Sequence, residues 1–557
     1  MKKLILYLLT CTFSLLTSAQ YYLRGEIKDT KNQGIQNVQI FVHSKKAIYP
    51  SGTQGSFGIT VHKLFDSLTL SRDGFESQTI AVKSDVWQSI ILKSSLPIAN
   101  KSKPKLISLT QNNSHTAAFN RVAGDETYFQ LIENEFITTS KFPATAFSLN
   151  VNKASYSNVR RFINMGSEVP KDAVKIEEMI NYFNLQYKDP PANEVFNFSS
   201  QLTSCPWNTK EHLLFVNTSA RKLSLNNIPP GNFVFLIDVS GSMDMPNRLP
   251  LLQAAFQMLV KNLRPVDKVS IVTYGGSVGI WLQPTNGDQK EKINASIESL
   301  TAAGDTPGES AIKTAYKLAQ STFIKDGNNR IILATDGDFN VGETSEKALE
   351  DLIASYRSTG VYLTCLGVGM GNLKDSKLQT LAKKGNGNYA YLDDIHEAER
   401  ILVKELTQTI YAVADNAKVD ISFDPAVVKK YRLIGFDNKK EAITDSTSEL
   451  EGGEVGSGNN TMAIFQIELV EPPRLRGNND LASVNLQYTL AKSTKQMGYA
   501  VPNNFAPLDS VDRELKFATA VTMFSLKLKQ SALVSEIDWN AISTLAATSA
   551  ANNFLQT

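Results

Sequence analysis

Apolar and polar positions alternate with a period of two across residues 20–93, broken by turn signals such as Gly52-Thr53-Gln54-Gly55 and Gly74-Phe75. That spacing predicts a small all-β unit with strands at 37–42, 57–61 and 66–71. Residues 94–124 lack periodicity and are rich in Ser, Asn, Lys and Pro, the composition of a flexible linker. Apolar residues then recur at helical spacing over 155–166 and 175–183, with Pro170 between them. From 231 to about 412 the pattern changes again. Continuous apolar runs at 233–237, 268–274, 330–334 and 361–369 alternate with amphipathic stretches at 251–263, 290–300, 310–323, 346–359 and 397–407. Strands without polar alternation are buried on both faces, so this segment predicts a doubly wound α/β sheet. After Ala412 strand patterns return at 418–423, 461–469 and 482–490. An amphipathic helix follows at 511–529, with Ser510 as its expected N-cap and Asp512 and Glu514 in its first turn.

With 557 residues the chain is too long for one core and should hold several domains. The net charge is +2, and Lys and Arg are spread along the chain, which argues against nucleic acid or an acidic membrane surface as partner. The first residues have their own logic. Lys2 and Lys3 precede an apolar run over 4–16, and Thr17-Ser18-Ala19 follows. This order predicts a secretory signal at 1–19, a mature chain from Gln20, and export to the periplasm or cell surface. The run is too short to span a bilayer, and no later segment is long and apolar enough, so no transmembrane helix is expected after cleavage. Cys11 follows Thr10, where a lipoprotein acceptor has a small residue, so lipidation is not expected. Of the other cysteines, Cys365 lies in an apolar strand pattern and reads as a buried free thiol. Its pairing with Cys205 stays open.

The candidate chemistry starts where the run 233–237 ends. There the chain reads Asp238-Val239-Ser240-Gly241-Ser242. Ligands of open α/β sheets bind beyond the carboxyl ends of the strands. Gly241 permits a tight turn, and spacing of two points Asp238, Ser240 and Ser242 at one volume. A carboxylate with two hydroxyls is a hard oxygen set, suited to Mg²⁺ and acceptable to Ca²⁺ or Mn²⁺. Two later pieces complete it: Thr306, in the turn Ala303–Gly308 before a helix, and Asp336, after the apolar run 330–334. Alone, Asp-x-Ser-x-Ser reads more readily as a helix cap or turn, but two aspartates after buried strands with the threonine turn between them favour a site. Asp244, Asp305 and Asp338 read as solvated turn residues. An enzyme finds less support. Ser240 stands where a phosphatase Asp-x-Asp pair needs its second acid, and neither a Walker loop nor a Gly-x-Ser-x-Gly elbow is present. His43, His62, His115, His212 and His396 fall in separate segments without metal-ligand spacing.

Several stretches resemble known families. Gly25-Glu26-Ile27, Gly34, Asn37-Val38-Gln39-Ile40, Gly55-Ser56-Phe57 and Gly74-Phe75 resemble the carboxypeptidase regulatory-like domain, a β-sandwich without chemistry of its own. Asp238, Ser240, Ser242, Thr306 and Asp336 resemble the metal-ion-dependent adhesion site of the von Willebrand factor type A domain. Ala154–Arg161, 176–183 and 205–208 on one side, and 430–436, 453–456 and 514–526 on the other, resemble the flanking domains of a bacterial family of exported von Willebrand proteins. That family has acidic residues where this chain has Asn150 and Asn152. The implied plan is a signal at 1–19, a β-sandwich at 20–93, a linker at 94–124, a flanking domain at 125–229, the A domain at 230–412 and a second flanking domain at 413–557, the two flanks packing together. The implied function is metal-dependent binding, without catalysis, of a protein partner that offers an acidic side chain to the ion's open position. Two alternatives remain open: a structural envelope protein whose metal site is unused, and a metal-dependent hydrolase.

Overall fold

The period-two pattern of the first segment becomes seven strands: β1 (Tyr21–Lys28), β2 (Gln39–Val42), β3 (Ala47–Pro50), β4 (Ser56–Val61), β5 (Phe65–Ser71), β6 (Gln78–Lys83) and β7 (Trp87–Ile91). They form two sheets, β4-β1-β7 and β3-β2-β5-β6. Leu23, Ile27, Ile40, Val42, Ile59, Val61, Leu68 and Leu70 share one core. Every second side chain of a strand points inward, and those positions are the apolar ones. Asn37 was expected to open a strand. It has φ of 58° and belongs to the preceding turn, a conformation asparagine tolerates, so β2 starts two residues later.

This computed structural model describes residues 21–52, 54–72, 74–93, 120–122, 126–224, 228–304, 308–337, 346–438, 453–471, 480–490, 493–534 and 537–550. The expected signal, Cys11 and the linker up to residue 119 lie outside them. Residues 1–105 and 106–557 form two separate compact units. No helix among the described residues is long and apolar enough to cross a membrane.

In the second unit, β8 (Asn120–Val122) pairs with β9 (Glu126–Tyr128), so the end of the stretch read as linker is a strand. Next come β10 (Ile137–Thr138), β11 (Ala144–Ser148), α1 (Ala154–Asn164), α2 (Ile176–Asn181), β12 (Phe196–Ser204) and β13 (His212–Ala220). The α/β segment follows: β14 (Gly231–Asp238), α3 (Leu249–Lys261), β15 (Lys268–Gly275), β16 (Ser277–Asn286), α4 (Lys290–Glu298), α5 (Gly308–Ser321), β17 (Asn328–Thr335), α6 (Glu346–Arg357), β18 (Val361–Val368), α7 (Asp375–Lys384) and β19 (Tyr389–Leu392). The sheet order is β16-β15-β14-β17-β18-β19, parallel except for the edge strand β16. Successive residues of β14 enter opposite cores. Phe233, Phe235 and Ile237 pack with Leu252 and Phe256 of α3, whereas Val234 and Leu236 pack with Ala311, Ile312 and Ala315 of α5. Burial on both faces is why this strand carries no polar alternation.

The helix expected at 397–407 is broken. It forms α8 (Ile395–Glu399), a π turn over Arg400–Lys404, and α9 (Leu406–Ile410). The wider turn, closed by Glu405 N–H donating to Arg400 O at 2.7 Å, places the Arg400 guanidinium between Glu397 and Glu405.

The chain then forms β20 (Ala412–Phe423), β21 (Val428–Ile434), β22 (Gly453–Gly456), β23 (Asn460–Leu469), β24 (Asp480–Leu490), β25 (Ser493–Pro502), β26 (Phe505–Ala506), α10 (Arg513–Leu528) and α11 (Trp539–Ser549). The residue before α10 is Asp512, not Ser510, and it makes no capping bond. Its carboxylate instead accepts from Gln186 Nε2. The segments before and after the α/β part interleave in two sheets, β10-β21-β23-β13-β12-β26 and β11-β20-β24-β25, with β22 on β20. Phe147, Leu214, Val216, Val419, Ile421, Phe465 and Leu486 fill the space between them. Leu213, Phe215 and Ile464 pack on the other side with α2 and α10 through Met179, Ile180, Leu515 and Ala518. The α/β part is therefore an excursion from a sandwich whose strands come from both ends of the unit.

Candidate metal centre

β14 sits mid-sheet with β15 on one side and β17 on the other, so the winding of the chain reverses there. Loops leaving neighbouring strands at such a point diverge and open a crevice at the strands' carboxyl ends. Asp238 is the last residue of β14, and Asp336 follows the last residue of β17. Both are fully buried.

The first loop folds back on its own aspartate. Ser240 N–H donates to Asp238 Oδ1 at 2.9 Å, and the Thr335 hydroxyl donates to Asp238 Oδ2 at 2.8 Å. The hydroxyls of Ser240 and Ser242 are 3.1 Å apart. Gly241 N–H donates to Gly304 O at 3.0 Å and Ala303 N–H to Val239 O at 2.7 Å, which laces this loop to the chain leading toward Thr306. Gly304 has φ of 81°, and a Cβ there would lie 2.5 Å from the backbone of Gly276, so the close approach requires glycine. Thr306 itself, with Asp305 and Asp338, lies outside the described residues. The structure thus brings Asp238, Ser240, Ser242 and Asp336 to one crevice, with the described chain stopping at Gly304 beside it. Asp244 is exposed.

The pattern did not point to Arg248, Thr335 or Asn372. Arg248 Nη1 donates to Asp336 Oδ2 at 2.7 Å and to Ser242 O at 2.6 Å, while Nη2 donates to Met370 O at 2.8 Å and Asn372 Oδ1 at 3.0 Å. Asn372 Nδ2 also donates to Asp336 Oδ2, at 3.0 Å. In sequence Arg248 is a basic residue ahead of an apolar helix, which usually means a solvated flank. The loop that carries Asn372 is gripped from the flanking segment. Gly371 N–H donates to Glu126 Oε1 at 2.7 Å, and Thr127 N–H donates to Leu373 O at 2.9 Å. Burial alone would raise the Glu126 carboxyl, but the Arg161 guanidinium beside it holds it below the usual range.

The donor set fits a hard divalent cation. Asp238 accepts from neutral donors, and no cation among the described residues pairs with it. Burial pushes its carboxyl up to about 6 and the charge of Asp336 adds to this, while the bonds from Ser240 and Thr335 pull the other way. A cation at this point restores the ionised form. Among the described residues no group of three or more His, Cys, Asp and Glu is placed to hold a metal, and this centre differs by combining two carboxylates with hydroxyls. Cys205 and Cys365 are both buried and free.

The family described as von Willebrand factor type A domain matches residues 232–405. A family described as von Willebrand factor matches 122–215, and one described as "Uncharacterized protein YfbK, C-terminal" matches 408–554. The chain is 36% identical over 445 residues to "Uncharacterized protein YfbK" of Escherichia coli (strain K12), covering 75% of this chain and 77% of that protein. The chain belongs to the YfbK family of von Willebrand factor type A proteins. The crevice therefore lies in the type A domain of a YfbK relative, and the sandwich is built from the regions that flank this domain in the family. A second relative, the magnesium-chelatase 67 kDa subunit of Chlorobaculum tepidum, is 28% identical over 191 residues, 31% of this chain and 30% of that protein. Among solved structures, the von Willebrand factor type A protein from Catenulispora acidiphila covers 66% of this chain and 97% of its own at 13% identity, with a TM-score of 0.39.

Proposed function

We propose that this YfbK relative is an exported, non-catalytic binding protein whose type A domain captures an acidic side chain of a protein partner through Mg²⁺. Ca²⁺ or Mn²⁺ would also suit the oxygen donors. Asp238, Ser240 and Ser242 would hold the ion, with Thr306 and Asp336 acting directly or through water. The observation that carries the reading is the buried Asp238 at the switch point of the sheet, met by neutral donors among the described residues. An ion held there would supply an electrophilic position for a carboxylate oxygen. The residues of the chain do the rest. The two serines present hydroxyls without charge, and Thr335 orients Asp238. Met245 and Met370, whose carbonyls both accept from Arg248, leave their side chains 49% and 37% exposed beside the site. Methionine adapts to varied apolar surfaces, which suits a rim that a protein partner covers. Export rests on the signal at 1–19, and the two-sheet unit at 20–93 would be a regulatory-like domain that serves as a spacer or second contact.

Replacement of Asp238 by Ala is the deciding experiment. In the parent, Mg²⁺ should raise the melting temperature, as any ion that binds only the folded state must. In Asp238→Ala this rise should vanish with circular dichroism unchanged, because the side chain caps a strand and contributes little apolar packing. Thr306→Ala, which removes a neutral ligand, should weaken the response without abolishing it. A parent indifferent to Mg²⁺, or an Asp238→Ala variant that responds fully, ends the reading. N-terminal sequencing of the protein from its native envelope should find Gln20 first.

A further inference from the structure

We propose that Arg248 sets the charge of the metal centre and so makes it a receptor for carboxylates. The inference deepens the metal-dependent reading above and stands on it. The two carboxylates of the centre, Asp238 and Asp336, together match the charge of a divalent cation, and its hydroxyl donors add none. Such a set, once filled, has no net attraction for an anion. Arg248 changes this. Its cationic guanidinium lies against Asp336 at 2.7 Å, with side-chain exposures of 6% and 0%. With Asp336 already neutralised by Arg248, a filled centre keeps one positive charge beside two fully buried carboxylates.

The placement is built in. Ser242 O, Asp336, Met370 O and Asn372 receive the two terminal nitrogens. Gly369 makes the room: its φ is 76°, and a Cβ there would lie 2.5 Å from Arg248 Nε. A helix entry that needed only packing could bury an aliphatic residue at this position without desolvating a charge. Here the charge is instead aimed at a residue of the centre. Asp336 also gives part of its electron density to the guanidinium, which leaves an ion at the centre more demanding of a further oxygen ligand.

The test uses Mn²⁺ as the ion and acetate as the carboxylate, on the full chain. Water proton relaxation by bound Mn²⁺ reports open coordination positions, and added acetate should lower it as it displaces water. Arg248→Gln should bind Mn²⁺ at least as tightly as the parent, since a positive charge has left, and acetate about tenfold more weakly. Arg248→Lys keeps the charge and should stay within about threefold of the parent for acetate. The proposal is overturned if Arg248→Gln binds acetate like the parent, or if it loses Mn²⁺ in step with acetate, as a mere fastener of loops would. If Arg248→Gln does not fold, Asp336→Asn carries the test from the other side. It should bind Mn²⁺ more weakly and, once loaded, acetate more tightly, and weaker acetate binding overturns the idea. A parent that binds no Mn²⁺ shows instead that the metal reading has failed, before any variant is made.

Discussion

Two of the regions that bury carboxylates treat them differently. Along the seam between the α/β part and its flanking sandwich, buried acids are met by cations from across the boundary. Lys175 Nζ lies 2.6 Å from Asp375, Arg330 Nη2 2.5 Å from Glu454, and Lys153 Nζ 3.1 Å from Glu405. Arg160 reaches both Asp393 and Glu397. At the carboxyl end of the sheet, Asp238 is as deeply buried and, among the described residues, is met by hydroxyl and amide donors. The seam is electrostatically closed by the chain itself. In the crevice Asp336 is met by Arg248, whereas Asp238 is met by neutral donors among the described residues. A buried carboxylate met by neutral donors is costly to ionise, and this cost falls at the switch point of the sheet.

The contrast can be broken at the seam first. Arg330→Ala leaves Glu454 buried and unpaired and should cost about 3–5 kcal/mol, read as a lower urea midpoint. Replacing both partners by apolar residues should recover much of that loss. A loss near zero for Arg330→Ala would mean that the seam pairs are not what closes this boundary.

A smaller effect comes from Glu178, an acid that the seam serves poorly. Lys175 favours Asp375 and stands 3.7 Å from Glu178. Burial pushes the Glu178 carboxyl up to about 7, against the pull of Lys175. Because the folded value is raised, the folded state holds a proton that the unfolded chain has released between about pH 4.5 and 7. The parent therefore loses stability as pH rises through that window. Glu178→Gln should remove about 2 to 3 kcal/mol of this loss, so that the two proteins differ at pH 8 and converge at pH 4. Parallel stability curves would show that Glu178 is not poorly served.

The smallest expected change is at Gly369. Gly369→Ala sets a Cβ against Arg248 in a left-handed conformation and should cost about 1–2 kcal/mol. Its distinguishing mark is that the response to Mg²⁺ should change as well, because Arg248 and the loop at 369–372 move together. An unchanged Mg²⁺ response would separate that loop from the centre.

Much of this was legible in the chain because it is local. The apolar runs that end in Asp238 and Asp336 needed only periodicity to be read as strands buried on both faces, and the alternation over 20–93 needed only a period of two. The aspartate and serines of the first loop were legible because a turn of five residues fixes its own geometry. Other features depended on distant partners. The edge strand β16 carries a mixed pattern, since one of its neighbours is solvent. The break at Arg400–Lys404 sets one guanidinium between Glu397 and Glu405, an arrangement that helical periodicity does not register.

Residue type and spacing alone determined that two acids and two hydroxyls would lie at strand ends in an α/β sheet, because strand direction and side-chain alternation are properties of the local backbone. Tertiary structure decided the rest. It joined β12 and β13 to β23 and β21 across the whole α/β excursion, a register that no local pattern encodes. It also turned Arg248 inward from the mouth of a helix onto Asp336, because Ser242, Met370, Asn372 and the missing side chain of Gly369 converge there only after the loops of three strands have folded. Which carboxylate was neutralised and which was left open was therefore settled by packing between loops far apart in the chain.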